Sequence, residues 1–215
     1  MYLIIFHFIQ LIICIWKSAM DPKGPGLYKL AKGKLLSNFT TADPTLQQVT
    51  YGENTILHVA AHFGKTEFAE EILNLDRSLL CKLNKKGETP LHIAARLGYT
   101  NMASLLIKKE DVEQGMKLLA IENLAKDTAL HVAFRNGHLE IVKLLIEKDP
   151  TLGLITNKAQ ESPLFVAVDW EFYNIALEIL KLQEFSVEGR TKRNALHAAV
   201  IRTHKCKSFD FTLIS

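Results

Sequence analysis

The sequence predicts an all-α solenoid, a stack of helix–turn–helix units, and three observations carry that prediction. A ten-residue phrase recurs in phase: "TILHVAAHFG" begins at Thr55, "TPLHIAARLG" at Thr89, "TALHVAFRNG" at Thr128, "SPLFVAVDWE" at Ser162 and "NALHAAVIRT" at Asn194. The successive starts lie 34, 39, 34 and 32 residues apart, the period range of repeat architectures. Each copy opens on a helix-capping residue and is followed by a second amphipathic stretch.

From the N-terminus, "YLIIFHFIQLIICIW" (Tyr2–Trp16) is apolar apart from His7 and Gln10. As a helix it would span roughly 22 Å, short of the ~30 Å hydrocarbon core. It has no preceding positive charge and no small-residue cleavage site, so it is a poor signal peptide. Two readings of residues 1–19 stay open. They are a membrane-associating anchor, with Lys17, Lys23, Lys29, Lys32 and Lys34 keeping the rest cytosolic, or sequence upstream of a true start at Met20. On either reading the sequon Asn38-Phe39-Thr40 is expected to stay unglycosylated. Residues 20–52 hold "LYKLAKGKLLSNF" (Leu27–Phe39), a degenerate leading copy.

The repeats are then expected at 53–86, 87–125 (with an insertion), 126–159 and 160–191, with an incomplete copy at 192–215. Thr55, Thr89, Thr128, Ser162 and Asn194 stand at the N-cap, and Pro90 and Pro163 take the first helical position, where a missing N–H costs nothing. Gly64, Gly98 and Gly137 close the first helix with a left-handed turn. "FAEEIL", "MASLLI", "IVKLLI" and "IALEIL" supply the second helix, and Asn84, Asn123 and Asn157 mark the loop before the next cap. The fourth copy departs, with Phe165 in place of histidine and Glu171 in place of the turn glycine; Thr203 replaces that glycine in the fifth. "CKSFDFTLIS" lacks the spacing of a second helix, so the apolar face of the fourth copy around Ile175, Ile179 and Leu180 is expected to be exposed. A truncated gene model, or a short form that pairs with another chain, would leave that signature.

These motifs resemble the ankyrin repeat, which implies an ankyrin-repeat solenoid with hairpin-like finger loops between its helix pairs. The start "MDP…LYKLAKGK" and loops such as "EKDPTLGLITNKAQESPLF" are similar to the plant ankyrin-repeat membrane proteins with a PGG-type domain, whose accelerated-cell-death-like members act in defence signalling. No stretch of this sequence reads as that membrane domain. The resemblance therefore implies a signalling role as a protein-interaction module. The alternative is the cytosolic portion of a membrane transport or channel-like protein whose transmembrane domain is missing from the chain.

Composition narrows the chemistry. A net charge of +3 lacks the strong basic stripe of a nucleic-acid binder, so no nucleic acid is expected. Cys14, Cys81 and Cys206 have no CxxC spacing, which argues against zinc or a disulfide framework and for a reducing, cytoplasmic compartment. No nucleophile elbow, Walker A loop, dinucleotide fingerprint or HExxH occurs, so no enzyme and no cofactor are expected. His58 and His62 stand four apart, but the motif histidines His58, His92, His131 and His197 come one per repeat, too far apart to converge on one metal. The resemblance implies a structural role for them, bonding backbone and the cap hydroxyl.

It also implies that a protein partner meets the residues before the turn glycine and the loop tips. Carried over by position these are His62-Phe63, Arg96-Leu97, Arg135-Asn136, Asp169-Trp170 and Ile201-Arg202, with Lys85-Lys86, Lys126, Lys158, Arg190, Lys192 and Arg193 at the tips. Exposed Trp, Phe and Arg dominate interface energetics, and basic tips would suit an acidic segment or an anionic membrane surface. The plainer alternative is that Phe63 and Trp170 pack against neighbouring repeats and the tips are solvated loops.

Overall fold

The computed structural model describes residues 44–110, 118–180, 186–189 and 195. The apolar segment 2–16, the leading copy at 27–39, Asn38, Arg190, Lys192, Arg193, His197, Ile201 and Arg202 lie outside them. Among the described residues there are eight α-helices and no strand, only isolated bridge contacts such as Val49 with Thr55. The helices are α1 (Ile56–His62), α2 (Thr66–Leu75), α3 (Pro90–Leu97), α4 (Thr100–Lys108), α5 (Ala129–Arg135), α6 (Leu139–Lys148), α7 (Pro163–Asp169) and α8 (Tyr173–Leu180). Together they form an all-α solenoid.

Local chemistry starts each first helix. Thr55, Thr89 and Thr128 are extended N-caps, each in a reciprocal capping box with the histidine three residues on. Ser162 caps α7 through its hydroxyl, which accepts from the Phe165 N–H at 3.2 Å. Such a cap is worth about 1 kcal/mol. Four left-handed residues stop these helices: Gly64, Gly98, Gly137 and, in the fourth copy, Glu171 at φ 65°. Short 3-10 turns follow α2 and α6, where Asp76 and Asp149 accept from Ser78 N–H and Thr151 N–H.

The helices stack in two rows. α1, α3, α5 and α7 pack side by side in one, and α2, α4 and α6 in the other, each first helix also packing on its own second helix. A short helix cannot bury an apolar face alone, so the core is one continuous cluster shared across repeats. It runs from Leu46 through Leu57, Leu91, Leu106, Leu130, Ile141 and Leu164 to Ala176. Each fully buried Leu or Ile contributes about 1.5–3 kcal/mol.

The expected exposure of Ile175 at the end of the fourth copy is not found. Ile175 is only 8% exposed and belongs to the shared core, and Leu180 is half-buried against it. α8 packs on α7 of its own repeat, which turns Ile175 inward, and the side chain of Ile179 lies outside the described residues.

Candidate functional site

Two rows of residues are brought into line by the stack: the ends of the first helices and the loops that precede the caps. The three described motif histidines tie these rows together. In each, Nδ1 accepts from the cap backbone N–H at 3.2 Å and lies 2.8–3.0 Å from the cap hydroxyl. Nε2 faces the carbonyl just before the next cap: Glu88 at 2.8 Å from His58, Asp127 at 3.1 Å from His92 and Glu161 at 3.1 Å from His131. A carbonyl only accepts, so Nε2 must carry the hydrogen and donate it, leaving Nδ1 as the acceptor for the cap N–H. Adding a proton at Nδ1 would set two donors against each other. Burial drives the same outcome, lowering His58 and His131 to about 4 from an ordinary 6.5 and lowering His92 as well. The nearby carbonyls and carboxylates offset only part of that burial effect.

The loops form a ladder of tips. Lys85 N–H donates to Gly52 C=O, Leu124 N–H to Lys86 C=O and Lys158 N–H to Ala125 C=O, all at 2.9–3.0 Å. Within each tip the asparagine side chain is the organiser. Asn84 Oδ1 accepts from Lys86 and Glu88 N–H, Asn123 Oδ1 from Ala125 and Asp127 N–H, and Asn157 Oδ1 from Ala159 and Glu161 N–H. The amides of Asn84 and Asn157 also reach back one repeat, donating to Asn54 Oδ1 and Asp127 Oδ1 at 2.9 Å.

The helix-end residues fall into different environments. Arg135 grips Asp127 with both Nη atoms, at 2.6 and 3.1 Å, and Arg96 pairs with Glu88 in the same way of closing helix onto loop. Burial pushes the Asp127 carboxyl up, but the Arg135 hydrogen bond and charge, with the Asn157 amide, outweigh it and hold the group below its ordinary value. Both arginines are therefore half-buried struts. Asn136 donates its amide to Val132 C=O, and Phe63 and Leu97 are half-buried against the core, Phe63 edge-on to His62. Trp170 differs: it is 53% exposed at the end of α7. Lys85, Lys86, Lys126 and Lys158 are all exposed at the tips, with the Lys85 ammonium 3.9 Å above the Tyr51 ring.

Three features escaped the sequence reading. Exposed Tyr51 and Leu124 sit on the tips, and a signal existed, since both occupy the position four before a cap. Non-glycine residues Glu53, Lys126 and Gln160 take left-handed conformations at the tip position that Gly87 fills in the second loop. The residue after each turn lays its ring on the turn glycine one repeat earlier: Tyr99 on Gly64, His138 on Gly98 and Phe172 on Gly137. His138 Nε2 also donates to Arg96 C=O at 3.0 Å.

Among the described residues no group of three or more His, Cys, Asp or Glu could hold a metal, and no helix is long and apolar enough to cross a membrane. The family described as ankyrin repeats (3 copies) matches residues 27–117 and 111–188. An ankyrin repeat-containing protein of Arabidopsis thaliana is 36% identical over 72 residues, which cover 31% of this chain and 14% of that protein. The chain thus spans a small fraction of the length of the curated relative it matches.

Proposed function

The chain belongs to the ankyrin-repeat family, and we propose that it acts as a non-catalytic scaffold that binds a protein partner in plant signalling of the defence type. Ankyrin repeats are protein-interaction modules, and the similarity to an ankyrin repeat-containing protein of Arabidopsis thaliana supports the plant part of that setting alone. The observation that carries the binding reading is Trp170. A large aromatic left half in solvent at the end of a first helix is the residue type that anchors interfaces, whereas Arg96 and Arg135 at the ends of the preceding first helices are committed to Glu88 and Asp127. The described motif histidines are equally committed. Each described motif histidine has both ring nitrogens engaged within the fold.

The binding site in this reading comprises Trp170, the helix-end residues Phe63, Leu97 and Asn136 of the preceding repeats, and the tips carrying Lys85 and Lys86. Proximity labelling with the full chain tests it. Trp170→Ala is expected to remove specific partners while leaving stability within about 0.5 kcal/mol, as for other surface substitutions. An unchanged partner set would contradict the reading.

A further inference from the structure

The finger tips carry a pattern that identifies the kind of segment they would hold. The position four residues before each cap is Tyr51, Lys85, Leu124 and Lys158 in spatial order along the ladder, because consecutive tips are joined by the backbone hydrogen bonds 85–52, 124–86 and 158–125. The ridge therefore alternates apolar, cationic, apolar, cationic. Both apolar members stand far into solvent, Tyr51 at 76% and Leu124 at 71% exposure. Lys86 and Lys126 add positive charge beside the line. Among the described residues no carboxylate forms an ion pair with Lys85, Lys86, Lys126 or Lys158, since Glu88 and Asp127 are turned inward to Arg96 and Arg135. Exposed Glu53 and Glu122 temper the field without breaking the row.

The spacing matters as much as the charge. Each tip contributes two passes of chain, and adjacent hydrogen-bonded passes lie about 4.8 Å apart, so equivalent positions recur every ~9.6 Å. A polyproline-type chain advances about 3.1 Å per residue with three residues per turn, or ~9.3 Å per turn. One face of such a chain presents every third side chain at the period of the ridge. We infer that the finger-tip ridge docks an extended acidic segment of a partner protein, with apolar and acidic side chains alternating at every third residue. Its apolar groups cover Leu124 and the part of the Tyr51 ring that the Lys85 ammonium leaves in solvent, and its carboxylates face Lys85 and Lys158. This rests on the protein-binding reading above and specifies the partner's chemistry. A membrane surface would be a plane of charge and would gain nothing from the alternation.

Fluorescence anisotropy with the full chain tests the inference, using a labelled peptide of sequence Leu-Pro-Pro-Glu-Pro-Pro-Leu-Pro-Pro-Glu. A second peptide of the same composition sets Leu and Glu two residues apart. The in-register peptide is expected to bind more tightly than the control and to weaken with added salt. The paired change Lys85→Glu with Lys158→Glu should weaken it by at least about tenfold, because like charges then face each other. Leu124→Ser should weaken it by roughly fivefold through loss of apolar burial. Equal affinity for the two peptides, or indifference to the charge change, would overturn the inference. So would charge-sensitive binding to phosphatidylserine vesicles by a chain that ignores both peptides. A chain that ignores the peptides but still loses partners on Trp170→Ala would sink the ridge inference alone. Failure of both experiments would remove the protein-binding reading as well.

Discussion

The first three described repeats and the fourth solve one problem in two ways. In the repeats capped by Thr55, Thr89 and Thr128 a buried imidazole bridges its own cap and the carbonyl that precedes the next cap. In the repeat capped by Ser162 the same position is Phe165, which is buried and lies against Gly189, so that a Cβ there would run into the ring. The polar solution fixes direction and register, because a hydrogen bond is lost by a small rotation. The apolar solution fills the space and leaves register to the backbone bond from Ser162 N–H to Glu188 C=O at 2.8 Å. The fourth repeat also carries Glu171 in the left-handed turn that glycine holds in the others. Among the described repeats, directional coupling through this position is therefore carried by the first three and replaced by apolar packing in the fourth.

The largest expected consequence separates the regions by pH. In the unfolded chain an imidazole titrates near 6.5, whereas His58 and His131 are lowered to about 4 in the fold. Between those values only the unfolded chain takes up the proton, so acidification favours unfolding. The stabilisation is complete above 6.5, falls through the window and is gone below about 4. At 1.36 kcal/mol per unit this is on the order of 3 kcal/mol for each histidine. Denaturant titrations from pH 7 to pH 4 should show that loss, and His131→Phe should flatten the slope, since it gives the third repeat the chemistry of the fourth. A slope that His131→Phe leaves untouched would show that the loss arises elsewhere.

Removing a bridge outright comes next. His92→Ala takes the buried Thr89 N–H's imidazole acceptor away and leaves the Asp127 carbonyl with the Asn123 N–H alone, so it should lower stability by roughly 1–3 kcal/mol. Metal content, read by elemental analysis, should not change. Stoichiometric zinc that disappears in this variant would overturn the structural role.

The smallest change runs in the opposite direction. Glu171 at φ 65° pays the left-handed penalty of a residue with a Cβ, so Glu171→Gly should raise stability by about 1 kcal/mol. Gly98→Ala should do the reverse, because its Cβ would stand 2.6 Å from the His138 ring. Thermal melts of the two variants give the sign of each effect. If Glu171→Gly were destabilising, the interactions that Glu171 makes would outweigh the backbone strain.

The solenoid was legible because its signals are local. A threonine before Pro90, a glycine at 98 and an asparagine at 84 each act within a few residues of themselves, and the period of the phrase supplies the stacking. What stayed hidden depends on how one segment is placed over another. Arg96 and Arg135 look like free interface cations in the sequence, yet each reaches a carboxylate eight residues earlier, across the cap and onto the loop. The rings of Tyr99, His138 and Phe172 find the preceding turn glycines only once the repeats are stacked. The left-handed tips at Glu53, Lys126 and Gln160 carry no glycine to announce them. The inward turn of Ile175 likewise depends on α7 and α8 packing together.

The structural role of the histidines can be read directly from their ring nitrogens. An NMR experiment correlating imidazole 15N and 1H shifts across pH 4–8 reports tautomer and protonation for each ring. His58, His92 and His131 are expected to be neutral and protonated on Nε2, with His58 and His131 holding that state down to about pH 4 and no response to added zinc. Titration of these rings near 6.5, an Nδ1-protonated tautomer, or zinc-induced shifts would contradict the bridging role.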